Sequence, residues 1–229
     1  MDRLDVDIWS DVMCPWCAIG YTQFADAVKQ LEGEIAVETR FMPFELNPDT
    51  PQEGKPQARH LAEVYGRTIE QVEAMRAQMH EVAAGAGFPM GYTGPTDGQN
   101  EPPEPMMWNT FAAHKLLRWA LAVAGWEVQT RLKLALLRAH FQQRLDVSDR
   151  AVLLDLAEAE GFDCASAGEA PDDEALSIAV RLEEKRARDN GINSVPTFVV
   201  NGRYILQGAS EPEAFRSALV KLASMDAAA

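Results

Sequence analysis

Strand-like segments occur only near the two ends of this chain, and none is found between about residues 50 and 170. The terminal segments are expected to form one sheet, with the helices of the middle packing over one end of it as a subdomain because they have apolar faces to bury. Leu4, Val6 and Ile8 alternate with Asp5 and Asp7, the period of a strand with one covered face. Pro15 suits the first turn of a helix, where no N–H is needed; Phe24, Ala27, Val28 and Leu31 follow at helical spacing, and Gly33 is a stop. Ile35, Val37, Thr39 and Phe41 alternate again up to Pro43. This β-α-β opening predicts a parallel pair with a crossover helix.

The middle predicts helices. Thr68-Ile69-Glu70-Gln71 forms a capping box, with Ile69, Val72, Met75, Met79 and Val82 on one helix face. Residues 85–105 hold five Gly and five Pro, a long connection that serves as a lid or is simply mobile. Helices over about 107–124, 127–144 and 149–160 follow, the last capped by Ser148 and stopped by Gly161.

Mixed structure returns at the end. A helix over 173–190 stops at Gly191. Thr197–Val200 and Arg203–Leu206 flank Asn201-Gly202, a strong hairpin signal, and Ser210-Glu211-Pro212-Glu213 opens a last helix through Phe215, Leu219 and Leu222. Joined across the helical block, the order is β-α-β … α-β-β-α. The expected class is therefore α/β, a thioredoxin-like fold built from residues 1–50 and 171–229, with residues 51–170 as a large all-helical insertion.

Charge narrows the partners. Twenty-one Lys and Arg against 35 Asp and Glu give a formal net charge of -14, which repels nucleic-acid backbones and anionic lipid. No apolar run reaches the ~20 residues of a spanning helix. Asp2, Asp5 and Asp7 interrupt the N-terminus where a secretory leader would need an apolar stretch, so a cytoplasmic protein is expected.

Three cysteines are too few for a disulfide scaffold or a four-thiolate zinc site. Cys14-Pro15-Trp16-Cys17 directly follows the first strand and opens the first helix. Free N–H groups and the positive end of the dipole stabilise an anion there, so Cys14 is expected to be the lower-pKa thiolate and the nucleophile. Cys17, one turn further in, would resolve the mixed disulfide, and Trp16 would supply apolar surface beside the sulfurs. Half of a zinc site shared across a dimer, or an inert pair, are the alternatives. Val195-Pro196-Thr197 precedes the hairpin; in a thioredoxin-like arrangement this loop faces the cysteines and leaves the Val195 backbone free to pair with an extended substrate. An ordinary trans proline opening an edge strand is the alternative.

Four segments carry a family resemblance: Ser10–Cys17 with Ile19-Gly20; Pro43–Pro48; Asn109-Thr110-Phe111 with Ala113-His114; and Val195–Phe198 with Gly208-Ala209. With them the chain resembles the DsbA family of thiol–disulfide oxidoreductases, and within it the FrnE-like branch. The resemblance implies a cis Pro196, disulfide exchange through Cys14 and Cys17, and Asn109 and His114 near the cleft with Pro15, Trp16 and Val195. It implies no cofactor beyond the Cys14–Cys17 pair, and partners that are protein or small-molecule thiols and disulfides, with glutathione as a further candidate. The protein would act as monomer or homodimer. Ala18, His140 and Ser210 depart from residues frequent in the family, and no cysteine follows Cys164 to form a second pair. More distantly, the chain is similar to 2-hydroxychromene-2-carboxylate isomerases and kappa-class glutathione transferases, which typically place Ser at the nucleophile position. A glutathione-dependent transferase or isomerase is thus the alternative enzyme, and a peptide-binding or holdase module the non-catalytic one.

The remaining candidates have plainer readings. His114, among Phe111, Leu117 and Leu121, reads as a core or cap histidine or as a cleft residue that tunes the thiolate. Asp11 reads as a cap or as a proton acceptor for Cys17. His60, His80 and His140 have no metal-site spacing, the methionines read as adaptable core with Met106-Met107-Trp108 a weak groove candidate, and Cys164 reads as a loop bystander.

Overall fold

The alternation in β1 (Asp2–Ser10) sorts its side chains onto two differently covered faces. The computed structural model describes residues 2–95 and 101–226. Leu4, Val6 and Ile8 enter a core with Phe24 and Ala27 of α1 (Pro15–Lys29) and with Phe215, Leu219 and Leu222 of α8 (Pro212–Asp226). On the opposite face Trp9 packs with Phe44, Ala187 and Ile192.

β1 pairs in parallel with β2 (Ile35–Pro43) and antiparallel with β5 (Thr197–Val200), which pairs with β6 (Tyr204–Gln207), giving the order β2-β1-β5-β6. The register sets Trp9 opposite Thr197. Val195-Pro196 therefore lies just off the end of β1 where the Cys14 loop begins. The hairpin differs from expectation by one residue: Asn201, Gly202 and Arg203 all cross, and the return strand starts at Tyr204. Asn201 and Gly202 both take positive φ, and Asn201 continues the sheet by bonding the Asp5 backbone N–H and C=O.

Between β2 and β5 lie β3 (Lys55–Pro56), α2 (Gln57–Tyr65), α3 (Ile69–Gly85), β4 (Met106–Met107), α4 (Phe111–Phe141), α5 (Arg150–Ala159), α6 (Cys164–Glu169) and α7 (Glu174–Asp189). The block is not free of strands. β3 and β4 form a two-residue antiparallel pair, too short to leave a period in the sequence. α2 and α6 are further additions, and Cys164 opens α6 rather than lying in a loop. α4 is broken at Gly125 (φ 82°), so the two expected helices meet there. The cap of α5 is Asp149, whose carboxylate accepts from Ala151 and Val152 N–H; Ser148 instead bonds Asp146.

Part of the expected lid is anchored. Phe88 and Met90 are buried against Ala18, Ile19, Ala83 and Leu137, and Thr93 N–H donates to Gln142 O at 2.7 Å; residues 96–100 of that stretch lie outside the described residues. α4 runs along β2, where Gln129 donates to Phe41 O and accepts from Phe41 N–H, both at 2.8 Å. The edge strand is thereby closed by a side chain. Val12 and Met13 enter the core of the helical block, so the loop carrying Cys14 is anchored in both parts of the molecule. Among the described residues, no helix is long and apolar enough to cross a membrane.

Candidate active site

Cys14 is the N-cap of α1 and Pro15 fills its first turn. The Cys14 carbonyl accepts from Cys17 N–H at 3.1 Å, which winds Cys17 back beneath Cys14. Both are free thiols, 3% and 1% exposed. They differ in outlook: Cys14 lines a groove of about 460 Å³ and Cys17 lies behind it. Pro15, Trp16 (44% exposed), Leu46, Asn47 and Val195 stand around Cys14 on that groove. Its far wall comes from α2 and α3, with Leu61, Val64, Met75 and Met79 beside His60, Arg76 and His80.

The Val195–Pro196 bond is cis, and the Val195 carbonyl stands 3.7 Å from Cys14 Sγ, which donates to it. Pro196 is buried against α1 and its own carbonyl accepts from Gly208 N–H at 2.8 Å. Cys14, Cys17, Pro15, Trp16, Val195 and Pro196 are thus brought together. Asn109 and His114 are not on the groove. The Asn109 amide donates to Pro48 O and Thr50 O and its carbonyl accepts from Phe111 N–H, so it fastens the loop after Asn47 to the start of α4. His114 is buried, with Nε2 3.6 Å from Asp11 Oδ1, just beyond a full hydrogen bond.

Asp11 ties two loops to this core. Its Oδ1 accepts from Met13 N–H at 3.3 Å and its Oδ2 from Leu46 N–H at 2.8 Å. Burial works against its charge most strongly, but His114, the Leu46 amide and Lys133 together outweigh burial and hold the carboxyl below its ordinary range. The Leu46 wall is held from the other side too: Arg181 of α7 pairs with Glu45 and Glu184, and Glu45 N–H donates to Glu184 Oε1 at 2.8 Å.

The shift of Cys14 runs opposite to the expectation of a lowered thiol. Two acceptors compete for its proton, the Cys17 sulfur and the Val195 carbonyl. The hydrogen bond to Cys17, then burial, raise the Cys14 thiol well above its ordinary value. Burial also opposes a charge on Cys17, yet the Cys14 proton, the nearby Lys133, the Ser10 hydroxyl and the Asp11 N–H bring it down. Ser10 Oγ faces it without completing a hydrogen bond of its own. The two shifts are linked: the hydrogen bond between the thiols raises Cys14 and lowers Cys17, and Lys133 adds to the lowering of Cys17.

That cation was missed in the sequence. Lys133 on α4 is fully buried, with Nζ 5.5 Å from the Phe41 ring centroid and no hydrogen-bond partner among the described residues. Its signal was a single lysine inside Leu132–Leu137, on the helix face of Gln129 and His140. Cys164 borders a separate hollow with Arg150, Glu169 and Asp173 that shares no lining residue with the groove.

Comparison with known proteins covers almost the whole chain. The family model described as a DSBA-like thioredoxin domain matches residues 5–220. A probable DsbA oxidoreductase from Streptomyces coelicolor has a similar structure, with 29% identity and a TM-score of 0.80 over 95% of this chain and 89% of that one. The uncharacterized protein YwbO of Bacillus subtilis is 26% identical over 216 residues, 93% of this chain and 94% of that protein. The cytosolic disulfide reductase DsbM of Pseudomonas aeruginosa, solved with GSH, shares the fold at 19% identity and a TM-score of 0.60, over 95% of this chain and 98% of that one.

Proposed function

The chain belongs to the DSBA-like thioredoxin domain family, and from that premise we propose that it is a thiol–disulfide oxidoreductase using Cys14 as nucleophile and Cys17 as resolving thiol. The observation that carries this reading is the division of labour between the sulfurs: Cys14 alone lines the groove, and Cys17 sits behind it at the start of the same helix.

In the direction that reduces a substrate disulfide, Cys14 attacks one substrate sulfur as the thiolate and leaves a proton on Cys17. The substrate S–S bond breaks, a mixed disulfide forms, and one substrate thiolate leaves. That thiolate takes the proton from Cys17. Cys17 then attacks Cys14 Sγ, closes the enzyme disulfide and releases the second substrate thiolate. Two electrons move from the enzyme dithiol to the substrate and one proton leaves with the first product; run backwards, the same steps oxidise a dithiol. An extended substrate would lie along the Val195 backbone beside Trp16, with its apolar side chains on Leu61, Met75 and Met79.

Glutathione fits as a small thiol partner, since Arg76, His60 and His80 would meet its carboxylates at the far end of the groove. The DsbM structure with GSH supports that choice. Reduction of insulin by dithiothreitol tests the reading: the native protein accelerates it and Cys14→Ser does not. Acceleration that survives in Cys14→Ser overturns it, and glutathione conjugation that survives there would favour a glutathione-dependent transferase or isomerase.

A further inference from the structure

Beside the groove lies a second, smaller hollow that the exchange steps above do not use. It measures about 30 Å³, against the ~10–15 Å³ that one water needs, so it has room for one compact polar group. Gln57, Arg76, His80, Met90 and Phe141 line both spaces, which makes the hollow a side chamber of the groove's far end. His140 from the last turn of α4 and Arg144 just after that helix complete its wall. The chamber collects positive charge and unused donors. The Arg76 side chain, 17% exposed, gives its NH1 to the Glu73 carboxylate at 2.8 and 2.9 Å and leaves Nε buried without a partner among the described residues. His140 is 5% exposed, and its Nδ1 is likewise buried without one. Arg144, at φ 54°, donates to Pro103 O and lies 5.3 Å from the Tyr92 ring centroid, and no carboxylate of the described residues pairs with it. Glu73 thus answers one guanidinium of the two, in a chain whose net charge is -14. Like charges drawn together away from water repel, and a buried donor costs free energy until an acceptor reaches it. An anion seated in the chamber would relieve both.

From this placement, and resting on the disulfide-exchange reading, we infer that the chamber is a carboxylate subsite held by Arg144, Arg76 and His140, and that the exchange selects thiols and disulfides carrying a carboxylate beyond the reacting sulfur. A planar carboxylate matches the guanidinium fork and is small enough for the space. A neutral disulfide can reach Cys14 along the groove but leaves the chamber unfilled. The same chemistry comes from the free carboxylate of a small thiol such as glutathione or from a Glu side chain of a peptide. Arg144 and Arg76 are specificity residues: they hold the anion and lie away from the sulfurs, so they act on binding rather than on exchange within the bound complex.

The test compares kcat/KM of the whole protein within two pairs of disulfides. One pair is glutathione disulfide and its tetraethyl ester; the other is a capped cysteine peptide disulfide carrying Glu and the same peptide carrying Gln. In at least one pair the carboxylate member should be favoured about tenfold or more, the discrimination of one charge-assisted contact. The pair that shows it identifies the source of the carboxylate. In Arg144→Gln that preference should fall about fivefold or more, through KM with kcat held. Equal kcat/KM within both pairs overturns the inference, and so does a preference that survives in Arg144→Gln. If that variant does not fold, the Arg76 Nε–H resonance of the native protein decides. It should shift saturably with the S-methyl form of the favoured thiol and not with that of its uncharged counterpart; no difference between them overturns the inference. A protein that exchanges with no member of either pair overturns the disulfide-exchange reading as well, whereas exchange indifferent to the carboxylate overturns this one alone.

Discussion

Gly20 and the ring of Pro196 are in direct contact: a Cβ added to Gly20 would stand 2.8 Å from Pro196 Cγ. That closeness lets α1 approach the loop before β5 until Cys14 Sγ and the Val195 carbonyl are 3.7 Å apart. The proline ring is rigid, so an added methyl has to push α1 or the loop away. Gly20→Ala should cost about 1–3 kcal/mol by overpacking and lower disulfide exchange with it. Gly85→Ala is the control: at the end of α3 its Cβ meets nothing within 4 Å, and it should be neutral or slightly stabilising. Urea unfolding of both variants checks the difference.

Cys17 raises Cys14 both by its hydrogen bond and by its charge. Removing it relieves both, so Cys14 in Cys17→Ala should alkylate with an apparent pKa below that in the native protein, while burial still opposes the thiolate. The same variant should trap a mixed disulfide with glutathione, seen as one glutathione adduct by mass spectrometry. Cys14→Ser should trap none at this site.

Asp11 lies below its ordinary pKa in the folded chain, because His114, the Leu46 amide and Lys133 outweigh burial. A carboxyl lowered by folding adds stability above its unfolded value of ~3.9 and loses it as pH falls through the lower folded value. Asp11→Asn should therefore lose about 3 kcal/mol at pH 7, and the gap to the native protein should close as pH drops below ~3.9. Denaturant titrations at pH 7, 5 and 3 give the sign.

Gln129 satisfies both backbone groups of buried Phe41. Gln129→Leu keeps the volume roughly but leaves an N–H and a C=O unpaired. A loss of about 2–4 kcal/mol is expected, with faster hydrogen exchange at Phe41. Loss of less than ~1 kcal/mol would mean that water replaces both bonds.

Much of this molecule can be read one short window at a time. The alternation of Leu4, Val6 and Ile8, the capping box at Thr68, the positive-φ pair Asn201-Gly202 and the cysteines at the mouth of α1 each depend on neighbours a few residues away, and each stands where the pattern put it. Failures of the same method are local too: a two-residue ladder such as Lys55-Pro56 with Met106-Met107 has no room for a period. The charge on the thiols is a different kind of property. A helix start by itself favours an anion on Cys14, and a reading along the chain stops there because burial and contacts across the fold are not in it. The shift of Cys17 answers to Cys14, Ser10 and Asp11 in the same stretch of chain, and also to Lys133, which joins them only after α4 has packed along β2. Coulomb energy depends on separation in space and on how much water is excluded, and neither quantity exists until distant parts of the chain have come together.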